Sequence, residues 1–257
     1  MKKRLPSIIS KIPAAAALII LVVLWEVLCL SGRVPEYMLP SPIDVAKAFA
    51  GDFNIMITHG AVTLTEAVSG LFLGIILAFL MATLMDHFLV INHAFFPLMV
   101  ITQTIPTIAI APLLILWMGF GMAPKITLVI ITTFFPIAVG LLEGYSSVDS
   151  DVINLMKTMK ANKRQIFFHV KLPAALPHFF SGLKISTSYA VVAAVVSEWL
   201  GGFEGLGVYM TRVKKAYAFD KMFAVIIFIV VISLALMFLV GVLRRIVMPW
   251  EKIERNK

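Results

Sequence analysis

Residues 148–177 have the sequence V-D-S-D-V-I-N-L-M-K-T-M-K-A-N-K-R-Q-I-F-F-H-V-K-L-P-A-A-L-P. This stretch, called the polar insert below, is the one long polar segment in a chain dominated by apolar runs. Five or six runs have the length of about 20 apolar residues that a bilayer-spanning helix needs. They are placed at about 12–30, 59–85, 94–117, 126–142, 179–200 and 223–243. The pattern predicts an all-α integral membrane protein with about six transmembrane helices and a polar insert that lies in water.

The composition is typical of the same class. Of the 257 residues, 60% are hydrophobic and only 14% are charged, and a soluble core cannot bury that much apolar surface. We therefore expect residues 1–257 to form a single transmembrane domain, with a first span at about 12–30 and core spans within about 59–243. The first apolar run is as long as a full span and no small-residue cleavage site follows it, which predicts an uncleaved helix rather than a secretory signal.

The distribution of Lys and Arg predicts the orientation in the membrane. With six spans and a cytoplasmic N-terminus, fourteen of the 22 Lys and Arg residues lie on the cytoplasmic side and seven lie outside, while Lys184 lies within a span. The cytoplasmic residues are Lys2, Lys3, Arg4, Lys11, Lys157, Lys160, Lys163, Arg164, Lys171, Arg244, Arg245, Lys252, Arg255 and Lys257. The outside residues are Arg33, Lys47, Lys125, Arg212, Lys214, Lys215 and Lys221. Because cytoplasmic loops carry the excess, both termini and the polar insert are predicted to be cytoplasmic. The net charge of +8 then indicates anionic lipid headgroups rather than nucleic acid.

Two short helices are predicted within the polar insert. The first has an apolar face at i, i+3, i+4 and i+7, formed by Val152, Leu155, Met156 and Met159. Ser147 or Asp149 would cap this helix. Asn162 and Gln165 have the spacing of a capping box at the start of the second helix, which Leu172-Pro173 would end. Helices this short are unstable alone, so the apolar face needs a partner surface, either the protein's own spans or a separate protein.

The third apolar run contains interior prolines, among them Pro106. Such prolines kink helices and free backbone carbonyls, so this span is either kinked for packing or lines a path through the membrane. Gln103 and Thr104, beside Pro106, would line that path or make ordinary interhelical hydrogen bonds.

The polar insert resembles the cytoplasmic loop of the membrane subunits of binding-protein-dependent ABC importers, which carries E-A-A-x3-G-x9-I-x-L-P. The matching positions are Asn154-Leu155-Met156, Lys160 and Val170 to Pro173, and Ala161 matches the alanine that often follows the glycine. The E-A-A letters are absent, and Lys160 stands where the family has glycine, which usually forms a left-handed helix end. Lysine in that conformation costs about 1 kcal/mol. We therefore expect that Asn162 takes part of the turn or that the bend is right-handed.

Four further segments resemble the same family and occur in its order. They are Leu39–Val45, Thr63–Gly74, Gln103–Gly121 and Ser197–Gly207. The most similar group is that of nitrate, sulfonate and taurine permeases. Within it, F-F-S-G-L-K at Phe179–Lys184 together with residues 197–210 resembles permeases for pyrimidine thiamine precursors.

The resemblance implies a type I importer permease bundle in the bacterial inner membrane, with both termini cytoplasmic. It implies as partners an ABC ATPase dimer that uses ATP and Mg²⁺, a second permease copy in a homodimer, an external substrate-binding protein and lipid. The residues that would couple to the ATPase are Val152, Leu155, Met156, Met159, Lys160, Ala161, Asn162, Leu172 and Pro173. The chain has no G-x-x-x-x-G-K-[ST] motif, so it is not expected to be an enzyme or to bind a cofactor. Its five histidines lack metal-ligand spacing.

Polar residues inside spans are the candidate substrate contacts. They are Gln103, Thr104, Pro106, Glu198 and Trp199. Glu198 would accept a hydrogen bond from an aminopyrimidine and Trp199 would stack on its ring, or Glu198 is simply a carboxylate near water at a helix end. The substrate alternatives are a sulfonate, taurine or nitrate. A secondary transporter or a membrane-embedded enzyme is the remote alternative, because the sequence shows no paired catalytic residues.

Overall fold

The computed structural model describes residues 12–32, 35 and 38–250, and its regular elements are all helical, which confirms the all-α class. The α-helices are α1 Ile12–Leu30, α2 Pro42–Gly51, α3 Phe53–His87, α4 Leu89–Thr104, α5 Thr107–Met118, α6 Met122–Ser146, α7 Ser150–Thr158, α8 Lys163–Ile166, α9 Leu172–Gly201, α10 Leu206–Lys215 and α11 Phe219–Val247. A π-helical segment, Phe167–Lys171, joins α8 to α9. The predicted cytoplasmic charges at residues 2–11 and 252–257, and Arg33, lie outside the described residues.

Within the described residues, four helical segments are long and apolar enough to cross a bilayer: α3, α6, α11 and the continuous segment Lys163–Gly201. Helices α4 and α5 form a fifth candidate that is bent by 103°. The kink that the interior prolines predict in the apolar run at about 94–117 is therefore a sharp break between α4 and α5. Pro106 has no backbone N–H and biases Ile105 toward extended backbone, where the structure finds it at φ −83° and ψ 122°. The six-span count and the cytoplasmic termini stay predictions.

The described chain divides into two compact units. The larger unit contains Thr58–Val208 and the residues from Ile229 onward. In it, α6 packs against α9 through small residues that let the backbones approach closely. A Cβ atom on Gly182 of α9 would lie 2.3 Å from the carbonyl oxygen of Pro136, and one on Gly144 of α6 would lie 2.5 Å from Ala175 Cα. Such contacts are typical of membrane helix pairs, where dispersion replaces the hydrophobic effect as the driving force.

Two apolar clusters fill the larger unit, and both draw on α6 and α9. One includes Met85, Leu141 and Phe180, and the other includes Leu128 and Val191. The two clusters follow one another along the α6–α9 contact and hold these two helices together. The groove described below lies along the same contact.

The smaller unit contains the described residues up to Ile57 together with Tyr209–Phe228. Its polar centre is Asp52, which accepts hydrogen bonds from the Tyr209 hydroxyl and from Lys221 Nζ at 2.8 Å. Burial alone would raise the pKa of Asp52, but the hydrogen bonds from Lys221 and Tyr209 outweigh it and hold the pKa below its ordinary value. The Asp52 carboxylate therefore favours the folded state at neutral pH.

Candidate functional site

The polar insert forms a well-defined corner between two helices. Asp149, one of the two predicted caps, accepts a hydrogen bond from the Asp151 amide at the start of α7. The predicted capping box is confirmed, because the Asn162 side chain accepts from the Gln165 amide and the Gln165 side chain accepts from the Asn162 amide, both at 2.8 Å. Side-chain caps thus set where both helices begin.

Lys160 itself makes the turn between the two helices. Its φ is +58°, and its amide donates to Lys157 O while the Ala161 amide donates to Met156 O, each at 2.9 Å. These two bonds are the Schellman motif that glycine usually completes. Asn162 is extended, at φ −79° and ψ 165°. Both expectations for the bend were therefore wrong: the lysine adopts the left-handed conformation, and the hydrogen bonds of the motif offset its cost.

The apolar face of α7 is divided between water and the protein. Val152, Leu155 and Met159 are 43%, 60% and 71% exposed, whereas Met156 is partly buried. The neighbouring Ile153 is also partly covered by its own chain. Three adjacent apolar side chains in water on a short helix are costly unless something covers them.

The segment after α7 continues into the membrane helix without a break. The prediction that Leu172-Pro173 ends the second helix is wrong, since the π-helical segment Phe167–Lys171 leads directly into α9. Pro173 lies in the first turn of α9, where a proline is tolerated because the π-helical turn changes the backbone pairing before it. Leu172 and Pro173 therefore belong to the membrane helix and not to the corner at Lys160.

Two contacts anchor this segment to the bundle. Lys171 Nζ lies 2.7 Å and 2.9 Å from the two carboxylate oxygens of Asp86, at the end of α3. The Phe167 ring lies 5.4 Å from the ring of the buried Tyr145 on α6. A displacement of α7 would therefore reach α3, α6 and α9 together.

The break between α4 and α5 lines a cavity of about 340 Å³. Its lining residues are Gln103, Ile105, Pro106, Thr107, Thr132, Tyr189, Val192 and Ala193. Two of the predicted path residues, Gln103 and Pro106, thus lie at this cavity. Thr104 does not line it, and its hydroxyl donates to Ile101 O at 2.8 Å. Irregular backbone at membrane depth is tolerated where it is buried in protein or lines a water-filled cavity, so the break is compatible both with kinked packing and with a path through the membrane.

A second cavity, of about 350 Å³, shares Gln103 and Tyr189 with the first. It follows the α6–α9 contact and is called the α6–α9 groove below. Its lining residues are Gln103, Phe135, Pro136, Val139, Gly140, Glu143, His178, Ser181, Gly182, Ile185 and Tyr189. Tyr189, Glu143 and His178 were not among the residues predicted to line a path. A signal was available, because the α9 members recur at the spacing of one helix face.

Glu198 lies away from both cavities, in a buried polar network. It is 1% exposed, accepts from the Thr63 hydroxyl at 2.7 Å and accepts from the Gly207 amide at 2.6 Å. Thr63 in turn accepts from the Leu206 amide at 2.8 Å. A Cβ atom on Gly205, at φ +119°, would lie 2.2 Å from the Glu198 carboxylate. Glu198 therefore holds the loop after α9 against α3. Trp199 lines neither cavity either, so the structure does not bring these two residues together with Gln103 and Pro106.

A buried ion pair lies in the same unit. Lys125 Nζ donates to Glu66 Oε1 at 2.7 Å, and the other Glu66 oxygen is buried with no hydrogen-bond partner in the part of the chain that the structure describes. Lys125 is only 5% exposed and lies in α6 rather than in a connecting loop, while its predicted position on the outer side of the membrane stays a prediction. The carboxylate of Glu66, on the neighbouring helix α3, offsets the cost of burying the Lys125 ammonium group.

Solved structures and protein families identify the architecture. The chain resembles the crystal structure of an amino acid ABC transporter with histidines, with a TM-score of 0.64 over 76% of this chain and 95% of that one, at 15% identity. Residues 70–251 match the family described as the binding-protein-dependent transport system inner membrane component. The chain belongs to this family. It is the multi-pass inner-membrane permease subunit of an ABC importer, and a separate subunit hydrolyses ATP.

Individual relatives of this permease carry different substrate names. A probable ABC transporter permease of Haemophilus influenzae is 37% identical over 85% of this chain and 89% of its own length. The formylaminopyrimidine transport permease ThiX of Halalkalibacterium halodurans is 35% identical over 91% of this chain and 94% of its own length. The riboflavin transport permease RibX of Chloroflexus aurantiacus is 32% identical over 91% and 88%.

Proposed function

We propose that this permease carries a pyrimidine thiamine precursor or a related heterocycle, delivered by an external binding protein. The similarity to the formylaminopyrimidine permease carries the proposal, since it extends over 91% of the chain at 35% identity. The riboflavin permease, also named for an aromatic heterocycle, is similar over the same share of the chain.

The chemistry of the cavities supports a heterocycle over an anion. Among the described residues that line the two cavities, none is Lys or Arg, and Glu143 contributes a carboxylate. Sulfonate, taurine and nitrate all carry an anionic group, for which the described residues that line the two cavities supply no cationic Lys or Arg side chain; among them, the N-terminus of α5 at Thr107 is the one anion-binding feature that borders the cavity at the helix break. A flat heterocycle finds instead an aromatic ring in Tyr189 and an amide in Gln103, which suit stacking and hydrogen bonding.

The exposed face of α7 is the proposed docking site for the ATPase. Val152, Leu155 and Met159 would enter a groove on each ATPase subunit, and the lysines of the insert would form a polar rim around them. The partly covered side chains of α7, Ile153 and Met156, would keep the helix on its own protein, so this proposal uses both partner surfaces. In this proposal a second copy of the permease completes a homodimer in the lipid, the ATPase dimer uses ATP and Mg²⁺, and nucleic acid has no role.

The continuity from the corner to the membrane supports a mechanical role for the insert. Closure of the ATPase dimer would move both copies of α7. The Schellman corner at Lys160 would transmit that movement to α9, which borders the cavities, and the anchor between Lys171 and Asp86 would transmit it to α3. The bundle would then switch between inward-open and outward-open states as rigid bodies.

Uptake by cells tests the substrate. Cells lacking the gene would be complemented with it and assayed for uptake of radiolabelled formylaminopyrimidine. We expect uptake to depend on the permease and to be reduced by unlabelled aminopyrimidines but not by taurine or nitrate. Permease-dependent uptake of taurine or nitrate without uptake of the pyrimidine would refute the proposal.

The docking site is tested with Leu155→Glu and a matched control, Asn154→Glu. Both positions are exposed on α7, but Asn154 lies on the side opposite the apolar face. Loss of one buried leucine contact of about 1.5–3 kcal/mol predicts about 10- to 150-fold weaker assembly with the ATPase for Leu155→Glu. Copurification of the ATPase measures this, and equal assembly of the two variants would remove α7 from the interface.

A further inference from the structure

At its end near the polar insert, the α6–α9 groove contains a pair of side chains with no part in the function proposed above. Glu143 Oε2 lies 4.0 Å from His178 Nδ1, and the two side chains are 66% and 41% exposed. This separation is too long for a hydrogen bond between them, so each keeps capacity for a third group. The groove between this pair and Tyr189 is lined mainly by apolar and small residues.

The chemistry of the pair fits one edge of an amino-heterocycle. Glu143 offers an acceptor, and the imidazole of His178 offers an N–H donor at the same end of the groove. An aminopyrimidine presents the complementary pattern, since its exocyclic amino group donates and the adjacent ring nitrogen accepts. A sulfonate or nitrate lacks the donor and would be repelled by the Glu143 carboxylate.

We propose that Glu143 and His178 form a substrate-recognition site of the permease itself, which selects heterocycles with an amino group beside a ring nitrogen. The amino group donates to Glu143 while the ring nitrogen accepts from His178. This inference rests on the proposed function, because aminopyrimidines carry that edge.

The position of the pair places it at the far end of the path from the helix break. His178 and Tyr189 are eleven residues apart on α9, which corresponds to about 16 Å of helix. Tyr189 and Gln103 border the cavity at the break, and Glu143 lies just before the insert. A heterocycle that passes along the groove therefore meets an aromatic and amide site first and the Glu143–His178 site last.

Energetics separate this role from a structural one. An exposed ion pair contributes at most about 1 kcal/mol to stability, so loss of either side chain should leave the fold and the assembly intact. A hydrogen bond from a ligand to a charged group is stronger, and its loss corresponds to about a 10- to 100-fold change in affinity.

The test compares Glu143→Ala, Glu143→Gln and His178→Ala with a control, Glu204→Gln, which alters an exposed carboxylate of the same unit outside the groove. Equilibrium binding of radiolabelled formylaminopyrimidine to the permease–ATPase complex without binding protein is measured in nanodiscs, and cellular uptake is measured beside it. We expect about 10- to 100-fold weaker binding for the two alanine variants and partial retention for Glu143→Gln, which keeps a carbonyl acceptor.

The outcomes distinguish the two proposals. If the wild-type permease takes up the pyrimidine while the alanine variants bind and transport it normally, the recognition site is wrong and the proposed function stands. If the wild-type permease takes up no pyrimidine, the proposed function fails and the recognition site fails with it. Loss of assembly with the ATPase in Glu143→Ala would also overturn the recognition site, because it would assign the side chain a structural role.

Discussion

The buried ion pair between Lys125 and Glu66 makes a quantitative prediction about the stability of the permease. Glu66 is fully buried, Lys125 is 5% exposed and their contact is 2.7 Å. Lys125→Met removes the ammonium group and leaves the carboxylate without its partner, with one oxygen already unpaired. Breaking one side of a buried pair costs about 3–5 kcal/mol. At about 2–4 °C per kcal/mol for a chain of this size, we expect Tm to fall by about 6–20 °C.

The double variant, Glu66→Leu with Lys125→Met, should recover most of this loss. It removes both charges together and also removes the unpaired Glu66 oxygen, so its stability should lie within about 1–2 kcal/mol of the wild type or above it. The coupling between the two positions would then be strongly non-additive, as expected for groups in direct contact.

Thermal unfolding of the detergent-purified permease, followed by tryptophan fluorescence, measures these values. The matched control is Lys47→Met, which breaks the exposed Lys47–Asp44 pair at 3.2 Å, where the side chains are 73% and 54% exposed. A surface pair contributes about 0–1 kcal/mol, so the control should change Tm by no more than about 4 °C. Equal effects of the two lysine variants, or additive effects in the double variant, would refute the reasoning.

Three further predictions concern the backbone and the smaller unit. Lys160→Gly should relieve about 1–2 kcal/mol of left-handed strain in the folded state, against about 0.5–1 kcal/mol of added entropy in the unfolded chain. Hydrogen exchange of the Ala161 amide should therefore be slower in Lys160→Gly than in wild type, whereas Lys160→Ala should not slow it. Gly182→Ala places a methyl group 2.3 Å from Pro136 O and should cost about 1–3 kcal/mol by thermal unfolding, whereas Gly241→Ala, with open space around it, should cost nothing. Asp52→Asn should be less stable than wild type at pH 7. The difference in Tm should persist down to about pH 4 and shrink as the pH falls further, through the lowered pKa of the folded state, because the Asp52 carboxylate stabilises the fold only while it is ionised. A constant difference from pH 7 to pH 3 would contradict this.

Local features of the insert were predictable because they depend on residues a few positions apart. The capping box of Asn162 and Gln165 needs only its three-residue spacing, and the helical face of α7 needs only its period. The conformation of Lys160 was predicted wrongly because only the conformational cost of a left-handed lysine was considered. The two hydrogen bonds that close the Schellman motif, and the packing that holds α7 and α8 in place, were not included. A penalty of about 1 kcal/mol is readily exceeded by such contacts.

The candidate path was only partly predictable. Pro106 marked the right segment, because proline acts on the backbone of its own neighbourhood. Glu198 was misplaced since its burial depends on Thr63, 135 residues away in the sequence, and on the backbone amide of Gly207. His178 and Tyr189 share one face of α9, but this pattern does not show what the face meets, and only the approach of α6 to α9 brings them and Glu143 into one groove.

Hydrophobic runs, helix caps and the ordered motifs of the family are all patterns of residues close together in the sequence. They are therefore enough to predict a helical membrane permease. Only the tertiary structure shows that Lys160 takes the left-handed turn and that the third span is bent by 103°. It also shows which polar groups are buried and which line the cavities. The physical reason is that burial and pairing are properties of helix contacts. The partners of Glu66 and Glu198 lie 59 and 135 residues away, and no local pattern encodes which distant helices will meet.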